Sequence, residues 1–175
     1  MKHNIILIGF MGSGKTSVGH RLAQSMTYQF RDTDHMIERN YGDTISRIFA
    51  QKGEEYFRSL ETDLLKMLVS TLNHTILSTG GGLPLRSENS KTLNELGYVV
   101  YLKASKETIF RRLKGDSTRP LLQGENPEKK IESMLKIREP IYEKAAHLMM
   151  NTDNRTITEI VQDVMENYLR QIYKK

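Results

Sequence analysis

The sequence predicts an α/β fold, a three-layer sandwich in which a five-stranded parallel sheet lies between two layers of helices. Three observations support this prediction. Short apolar runs of strand length alternate with longer segments whose apolar residues recur every three to four positions. A glycine-rich turn joins the first apolar run to the first helical segment. No internal repeat divides the 175 residues, so we expect one domain spanning residues 1–175.

The first strand leads into a phosphate-binding loop. Residues 4–8, Asn-Ile-Ile-Leu-Ile, are mostly apolar and β-branched, as expected of a strand that is buried on both faces. The next eight residues, Gly9 to Thr16, place two glycines, a lysine and a hydroxyl residue at the offsets of a loop that holds nucleotide phosphates. A helix follows, because Val18, Leu22 and Met26 recur every four residues. Chance produces such a loop pattern roughly 0.006 times in a chain of this length, so a simple glycine-rich turn is the weaker alternative.

The residue types of this loop predict a nucleoside triphosphate as its ligand. Gly12 and Gly14, on either side of Ser13, let successive N–H groups point at one phosphate. The N-terminus of the following helix adds the positive end of its dipole. We expect Lys15 to reach the β and γ phosphates and the hydroxyl of Thr16 to bind Mg²⁺.

Two carboxylates end the second predicted strand. Residues 28–31 favour a short strand that runs into Asp32-Thr33-Asp34. In an extended chain the carboxylates of Asp32 and Asp34 lie on the same side, at a strand end where α/β proteins bind ligands. One of the two could instead cap a helix, and this alternative stays open.

Residues 34–72 predict helices that form an insertion packed on the sheet. Thr44 is expected to cap one helix, and Gly53 interrupts the pattern. Arg58 and Glu61 lie one helical turn apart, beside an apolar stripe. They are either a surface pair or part of a site.

Three glycines follow the third predicted strand, His74 to Ser78. Gly80, Gly81 and Gly82 are costly in unfolded-state entropy, so they require a reason such as the close approach of a ligand. A flexible turn is the alternative. Right-handed crossovers bring the loops after the first three strands to one edge of the sheet, where the phosphate loop, the two aspartates and the glycines would share a cleft.

The remaining elements alternate in the same way. They are a helix from Ser90 to Leu96, a strand from Tyr98 to Leu102, a helix from Ser105 to Leu113, a helix from Pro127, a strand from Leu148 to Met150 and a final helix from Ile157 to Tyr168. The polar stretch of about residues 114–126 is long for a compact domain, and we interpret it as a lid.

The composition favours a small anionic ligand over nucleic acid. The net charge is +5, but the basic residues are dispersed and no aromatic residues alternate with them. The absence of cysteine excludes disulfides and thiol catalysis. No apolar run reaches membrane-spanning length, and no secretory leader precedes the first strand, so we expect a cytoplasmic protein with no membrane partner.

Six separated motifs stand in order between Ile5 and about Asn154. They are the phosphate loop Gly9 to Lys15, Asp32-x-Asp34, the stretch from Gly53-Glu54 to Phe57-Arg58-x-x-Glu61, Gly80-Gly81-Gly82, Arg119-Pro120-Leu121-Leu122 and Arg138-x-Pro140-x-Tyr142. In type, order and spacing they resemble the motifs of the shikimate kinases. That resemblance implies a kinase with a phosphate-binding loop, a substrate-binding segment at about residues 33–62 and a lid.

The resemblance also implies a role for each matching residue. Shikimate would be held by Asp34, Arg58, Gly80, Gly81, Gly82 and Arg138. ATP would be held by Gly12, Ser13, Gly14, Lys15, Thr16, Ser17, Arg112, Arg119 and Arg155. Thr16 and Asp32 would serve Mg²⁺, Asp32 through water, and Phe49 and Phe57 would wall the ring pocket. Lys15, Asp34 and Arg119 would act in catalysis, with Asp34 as the candidate base.

The chemistry of these side chains agrees with the roles that the resemblance implies. Arg58 and Arg138 can grip a carboxylate through charge-assisted hydrogen bonds, and Asp34 can accept from ring hydroxyls. Backbone N–H groups of the glycines can act as unobstructed donors.

The implied reaction is the transfer of a phosphoryl group from ATP to shikimate, giving ADP and 3-phosphoshikimate for aromatic amino-acid biosynthesis, by a monomer. Two alternatives stay open. One is a related small-molecule kinase acting on gluconate or a nucleoside monophosphate. The other is a nucleotide-gated binding protein, although the guanine-selecting Asn-Lys-x-Asp pattern is absent. The segment around residues 151–156 matches the family only loosely.

Overall fold

The computed structural model describes residues 3–114 and 126–173. Within them a five-stranded sheet has the order β2-β3-β1-β4-β5, and every neighbouring pair is parallel. The strands are β1 (Asn4–Ile8), β2 (Gln29–Asp32), β3 (Thr75–Ser78), β4 (Tyr98–Lys103) and β5 (Leu148–Asn151). The predicted α/β fold with a parallel sheet is therefore confirmed.

Helices cover both faces of the sheet. They are α1 (Lys15–Met26), α2 (Thr33–Tyr41), α3 (Ile45–Thr71), α4 (Ser87–Leu96), α5 (Lys106–Leu113), α6 (Pro127–Ala145) and α7 (Ile157–Tyr173), with a 3₁₀ turn at Leu83–Leu85. No helix among the described residues is long and apolar enough to cross a membrane.

The central strand β1 shows why the sequence folds into three layers. Its side chains alternate between two apolar clusters. Ile5 and Leu7 belong to a cluster with residues of α1 and α7, whereas Ile6 and Ile8 belong to a cluster with residues of α3, α4 and α6. All four side chains are fully buried. A strand that supplies both cores must be apolar on both faces, as this run is.

Local capping sets several helix boundaries. The hydroxyl of Thr44 accepts from the N–H of Arg47 at the start of α3, which confirms the predicted cap. Asn126 caps α6 by accepting from Lys129, and Pro127 occupies its first turn. At Gly53 the backbone of α3 has φ 81°, ψ 170°, so the predicted interruption lies inside this segment.

Several boundaries differ from the prediction by one to five residues, and two of them show a local cause. Helix α4 begins at Ser87 instead of Ser90, after a 3₁₀ turn that the sequence pattern did not indicate. Strand β3 begins at Thr75 instead of His74, because His74 has a left-handed φ of 46° that does not fit an extended strand.

Candidate active site

The phosphate loop connects β1 to α1. Gly12 and Gly14 have φ values of 76° and 101°, a region that disfavours other residues, and Gly14 stands at the N-cap of α1. The ammonium of Lys15 donates to the carbonyls of Gly9 and Phe10 at 2.8 and 2.9 Å. The lysine is therefore already held across the loop, next to the helix N-terminus that would receive a phosphate.

The two aspartates have different local roles. Oδ1 of Asp32 accepts from the N–H groups of Asp34 and His35 at 3.0 and 3.4 Å, so Asp32 caps α2. Asp34 lies in the first turn of this helix. The extended arrangement of the pair was a wrong prediction, because the helix begins at Thr33, and the capping alternative is confirmed for Asp32.

The glycine segment, Gly80 to Gly82, leaves space for neighbouring side chains. A Cβ built on Gly80 would lie 2.5 Å from Oδ1 of Asp34 and 3.0 Å from Oε1 of Glu61. A Cβ on Gly82 would overlap the guanidinium of Arg58. Gly80 and Gly82 are therefore required by side chains of the cleft itself, and the alternative of a flexible turn is not supported for them.

One backbone donor of the glycine segment is already used. The N–H of Gly80 donates to the hydroxyl of Thr33 at 2.9 Å. The expectation that the glycines supply unobstructed N–H donors therefore does not extend to Gly80. Nor did the sequence pattern indicate any role for Thr33.

Arg58 and Glu61 form a buried pair on α3. Nη1 of Arg58 donates to Oε2 of Glu61 at 2.8 Å, and Nη2 donates to Glu54 at 2.8 Å. The side chain of Glu61 is 0% exposed and that of Arg58 is 12% exposed. The alternative of a surface pair is wrong, because the helix turns this face toward the cleft.

Burial changes the acidity of Glu61. The pKa of its carboxyl is raised to about 7, mainly because burial removes water from the charged form; the charge and hydrogen bond of Arg58 oppose this rise, and the nearby Asp34 adds to it. Oε1 of Glu61 has no hydrogen-bond partner among residues 3–114 and 126–173. The sequence pattern alone leaves Glu61 as either a surface partner of Arg58 or part of a site, because a spacing of three residues does not reveal burial.

Arg138 and Tyr142 reach the cleft from α6. The guanidinium carbon of Arg138 lies 5.5 Å from the centroid of the Phe10 ring, in the phosphate loop. The hydroxyl of Tyr142, one turn further along the helix, donates to the carbonyl of Gly81 at 2.5 Å. Helix α6 therefore contacts both the phosphate loop and the glycine segment.

Two further arginines, Arg112 and Arg155, lie at the segment that follows β5. Arg112 donates to the carbonyl of Gly12 at 3.0 Å and to the carbonyl of Thr152 at 3.2 Å. Arg155 forms an ion pair with Asp163 of α7 at 2.6 Å. Arg112 therefore ties the loop to the segment after β5, whereas the charge of Arg155 is partly compensated.

A single cavity of about 1260 Å³ brings these groups together. Its lining includes Gly12, Ser13, Gly14, Lys15, Thr16, Ser17, Asp32, Asp34, Phe49, Phe57, Arg58, Gly80, Gly81, Gly82, Arg112, Arg138 and Arg155. Glu61 lines it as well. Arg119 and residues 115–125 of the predicted lid lie outside the described residues.

Comparison with known proteins decides the family. A family model for shikimate kinase matches residues 11–169. The chain belongs to the shikimate kinase family. A shikimate kinase of Thermodesulfovibrio yellowstonii is 44% identical over 167 residues, which are 95% of each chain. A shikimate kinase of Thioalkalivibrio sulfidiphilus is 44% identical over 94% of this chain and 86% of its own length.

Solved structures of shikimate kinases also resemble this chain. The shikimate kinase of Acinetobacter baumannii in complex with shikimate superposes with a TM-score of 0.91 at 41% identity, covering 98% of this chain and 95% of that one. A gluconokinase of Sinorhizobium meliloti has a TM-score of 0.62 at 18% identity, a likeness that concerns the fold alone. The gluconate kinase alternative is therefore not favoured.

Proposed function

We propose that this chain transfers the terminal phosphoryl group of ATP to the 3-hydroxyl of shikimate, as a cytoplasmic monomer of one domain. The observation that carries the proposal is the single cavity that joins a phosphate-binding loop to a buried Arg58–Glu61 pair, Asp34 and Arg138. The loop forms the donor half of this cavity, and the other residues form the acceptor half. Membership of the shikimate kinase family supports the same division.

The donor half would bind ATP through the loop and Lys15. The ammonium of Lys15 rests on the Gly9 and Phe10 carbonyls, so a short movement of its flexible stem would bring it to the β and γ phosphates. Positive charge at this point lowers the barrier, because phosphoryl transfer depends on alignment and charge neutralisation. Arg112, Ser17 and Arg155 would complete the nucleotide side, and the role of Arg119 at the phosphates stays a prediction.

The acceptor half would bind the carboxylate and hydroxyls of shikimate. The guanidinium of Arg138 faces the Phe10 ring and interacts with the hydroxyl of Tyr142, and no ion pair of Arg138 with a carboxylate occurs among the described residues, so its charge is available to an anion. Arg58 is held in place by Glu61 and would add a second cation. Asp34 would accept from the ring hydroxyls and act as the base toward the attacking one.

The cavity contains side-chain oxygens of the kind that Mg²⁺ prefers as ligands. Thr16 and Asp32 both line the cavity and supply hydroxyl and carboxylate oxygens. Oδ1 of Asp32 is used in capping α2, so the other oxygen would accept from a metal-bound water. Within the described ranges no group of three or more His, Cys, Asp or Glu side chains could hold a metal ion, so phosphates and waters would have to supply most of the ligands. When bound, Mg²⁺ neutralises phosphate charge.

The test is a coupled assay of ADP release with shikimate, gluconate and nucleoside monophosphates as acceptors. We expect turnover with shikimate at least about a hundredfold above the rate with any other acceptor, because a site built for a carboxylate and hydroxyls leaves buried polar groups unpaired with the wrong substrate. Turnover on gluconate or a nucleotide but none on shikimate would overturn the proposal. Slow hydrolysis that is independent of any acceptor would indicate a nucleotide-gated protein instead.

A further inference from the structure

The glycine segment is held at two consecutive residues by side-chain hydroxyls from two different helices. The hydroxyl of Thr33, in the first turn of α2, accepts from the N–H of Gly80 at 2.9 Å. The hydroxyl of Tyr142, on α6, donates to the carbonyl of Gly81 at 2.5 Å. The partners are 47 and 61 residues apart in sequence, and both side chains are 0% exposed.

The position of this segment sets the distances within the cleft. Gly80 lies against the carboxyls of Asp34 and Glu61, and Gly82 lies against the guanidinium of Arg58. Gly81 lies against the phosphate loop, since a Cβ built on it would be 3.4 Å from the carbonyl oxygen of Gly9. A displacement of the segment would therefore change the spacing of the acceptor groups from one another and from the loop.

We propose that the hydroxyls of Tyr142 and Thr33 are positioning groups, which fix the glycine segment and thereby hold the acceptor half of the cavity in its binding geometry. The proposal rests on the proposed function, because it assigns the effect to shikimate. Neither hydroxyl acts on the reacting atoms. Each acts through the backbone of a glycine that has no side chain of its own to lock it in place.

The chemistry of Tyr142 suits a permanent anchor. Its burial raises the pKa of the phenol to about 12, so the hydroxyl stays protonated and remains a donor throughout the pH range in which the enzyme would work. The ring packs beside Tyr101, with centroids 5.2 Å apart, and this fixes the direction of the hydroxyl. The hydroxyl of Tyr142 also interacts with the guanidinium of Arg138, one turn earlier on the same helix, so the anchor also relates Arg138 to the glycine segment.

Tyr142→Phe tests the proposal, because it removes one oxygen and keeps the buried ring. We expect the KM for shikimate to rise about tenfold, with a change of less than twofold in the dissociation constant of ATP, since a lost buried hydrogen bond is worth roughly one factor of ten. Thr33→Val, which removes the other anchor at nearly equal volume, should act in the same direction. It provides the test if Tyr142→Phe does not fold.

Tyr168→Phe is the matched control. Tyr168 is also a buried tyrosine, but it lies on α7 in the apolar cluster on the opposite face of the sheet. Its hydroxyl lies beside that of Tyr28, which does not line the cavity. This variant should leave the KM of both substrates unchanged, which separates a specific effect from the general loss of a core hydroxyl.

The outcomes separate this proposal from the proposed function. If the unaltered protein phosphorylates shikimate and both Tyr142→Phe and Thr33→Val keep its KM for shikimate, only the positioning proposal is overturned. An equal rise in the KM for shikimate and in the dissociation constant of ATP would also overturn it, because the two hydroxyls would then only stabilise the fold. If the unaltered protein does not phosphorylate shikimate, both proposals are wrong.

Discussion

The guanidinium of Arg58 lies 2.8 Å from the carboxylate of Glu61, and this pair faces the cavity with an acid that is fully buried. The cation proposed to receive the substrate carboxylate is thus held in place before any substrate arrives. Such preorganisation reduces the entropy lost on binding. It also makes both residues sensitive to substitution, since removal of one partner leaves a buried charge or acid without compensation.

Arg58→Ala should weaken shikimate binding and leave ATP binding nearly unchanged. The loss of a charge-assisted contact predicts a rise of about 10- to 100-fold in the dissociation constant for shikimate, measured by calorimetry. Arg47→Ala is the control, because Arg47 lies on the same helix with a side chain that is 73% exposed. An equal loss of ATP affinity in Arg58→Ala would contradict the division of the cavity into two halves.

The buried carboxyl of Glu61 should make stability depend on pH. Its pKa in the folded protein is about 7, above the ordinary value of 4.5, so the folded state binds the proton more tightly than the unfolded state. The contribution to the free energy of unfolding is then fully present below pH 4.5 and is lost as the pH rises through 7. The slope from this group is at most about 1.4 kcal/mol per pH unit.

Glu61→Gln isolates that contribution, because other titrating groups cancel in the comparison. Urea unfolding of both proteins from pH 5 to pH 8 should show that the stability advantage of the unaltered protein over the Glu61→Gln variant shrinks as the pH rises. A difference that stays constant, or that grows toward pH 8, would show that folding does not raise the pKa of this carboxyl.

Lys15→Ala should abolish turnover without removing shikimate from its site. We expect kcat to fall about a hundredfold or more, since one preorganised charge at the transferring phosphoryl group contributes that much or more. Shikimate affinity, measured by calorimetry without nucleotide, should change less than twofold. Lys66→Ala, at a surface position that is 65% exposed, is the matched control. A loss of shikimate binding would show that Lys15 contributes to the acceptor half of the cavity as well as to the donor half.

Gly82→Ala should raise the KM for shikimate, because the added methyl group displaces the guanidinium of Arg58. The backbone at Gly82 has φ −90°, so the substitution introduces no backbone strain. Gly42→Ala is the control, in which the backbone is strained but no neighbouring side chain is displaced. Its φ of 82° predicts a loss of about 1 kcal/mol in stability, but its Cβ would meet nothing within 4 Å, so the kinetics with shikimate should not change. Identical kinetics in both variants would contradict the steric argument.

Periodicity and motif spacing were sufficient for the fold class and the sequence of strands, but not for the order of the strands in the sheet. The alternation of short apolar runs and amphipathic segments predicted the strand and helix order, and β1 shows the physical basis, since a strand that supplies two cores must be apolar throughout. The phosphate loop was equally accessible, because its function depends on residue types at fixed local offsets.

The acceptor half was only partly predictable. Arg58 and Arg138 came from the resemblance to a family, whereas the burial of Glu61 depends on how α3 packs against the glycine segment. The anchors from Thr33 and Tyr142 depend on contacts across 47 and 61 residues of sequence, for which no local pattern exists. The glycines were assigned to ligand approach, but the structure shows that they also make room for Asp34, Glu61 and Arg58.

The most direct test of the account is the identity and amount of the product. The purified protein is incubated with ATP, Mg²⁺ and shikimate, and the products are quantified by mass spectrometry, with Lys15→Ala as the inactive control. The account predicts one 3-phosphoshikimate for each ADP. Release of ADP without a phosphorylated shikimate would contradict it.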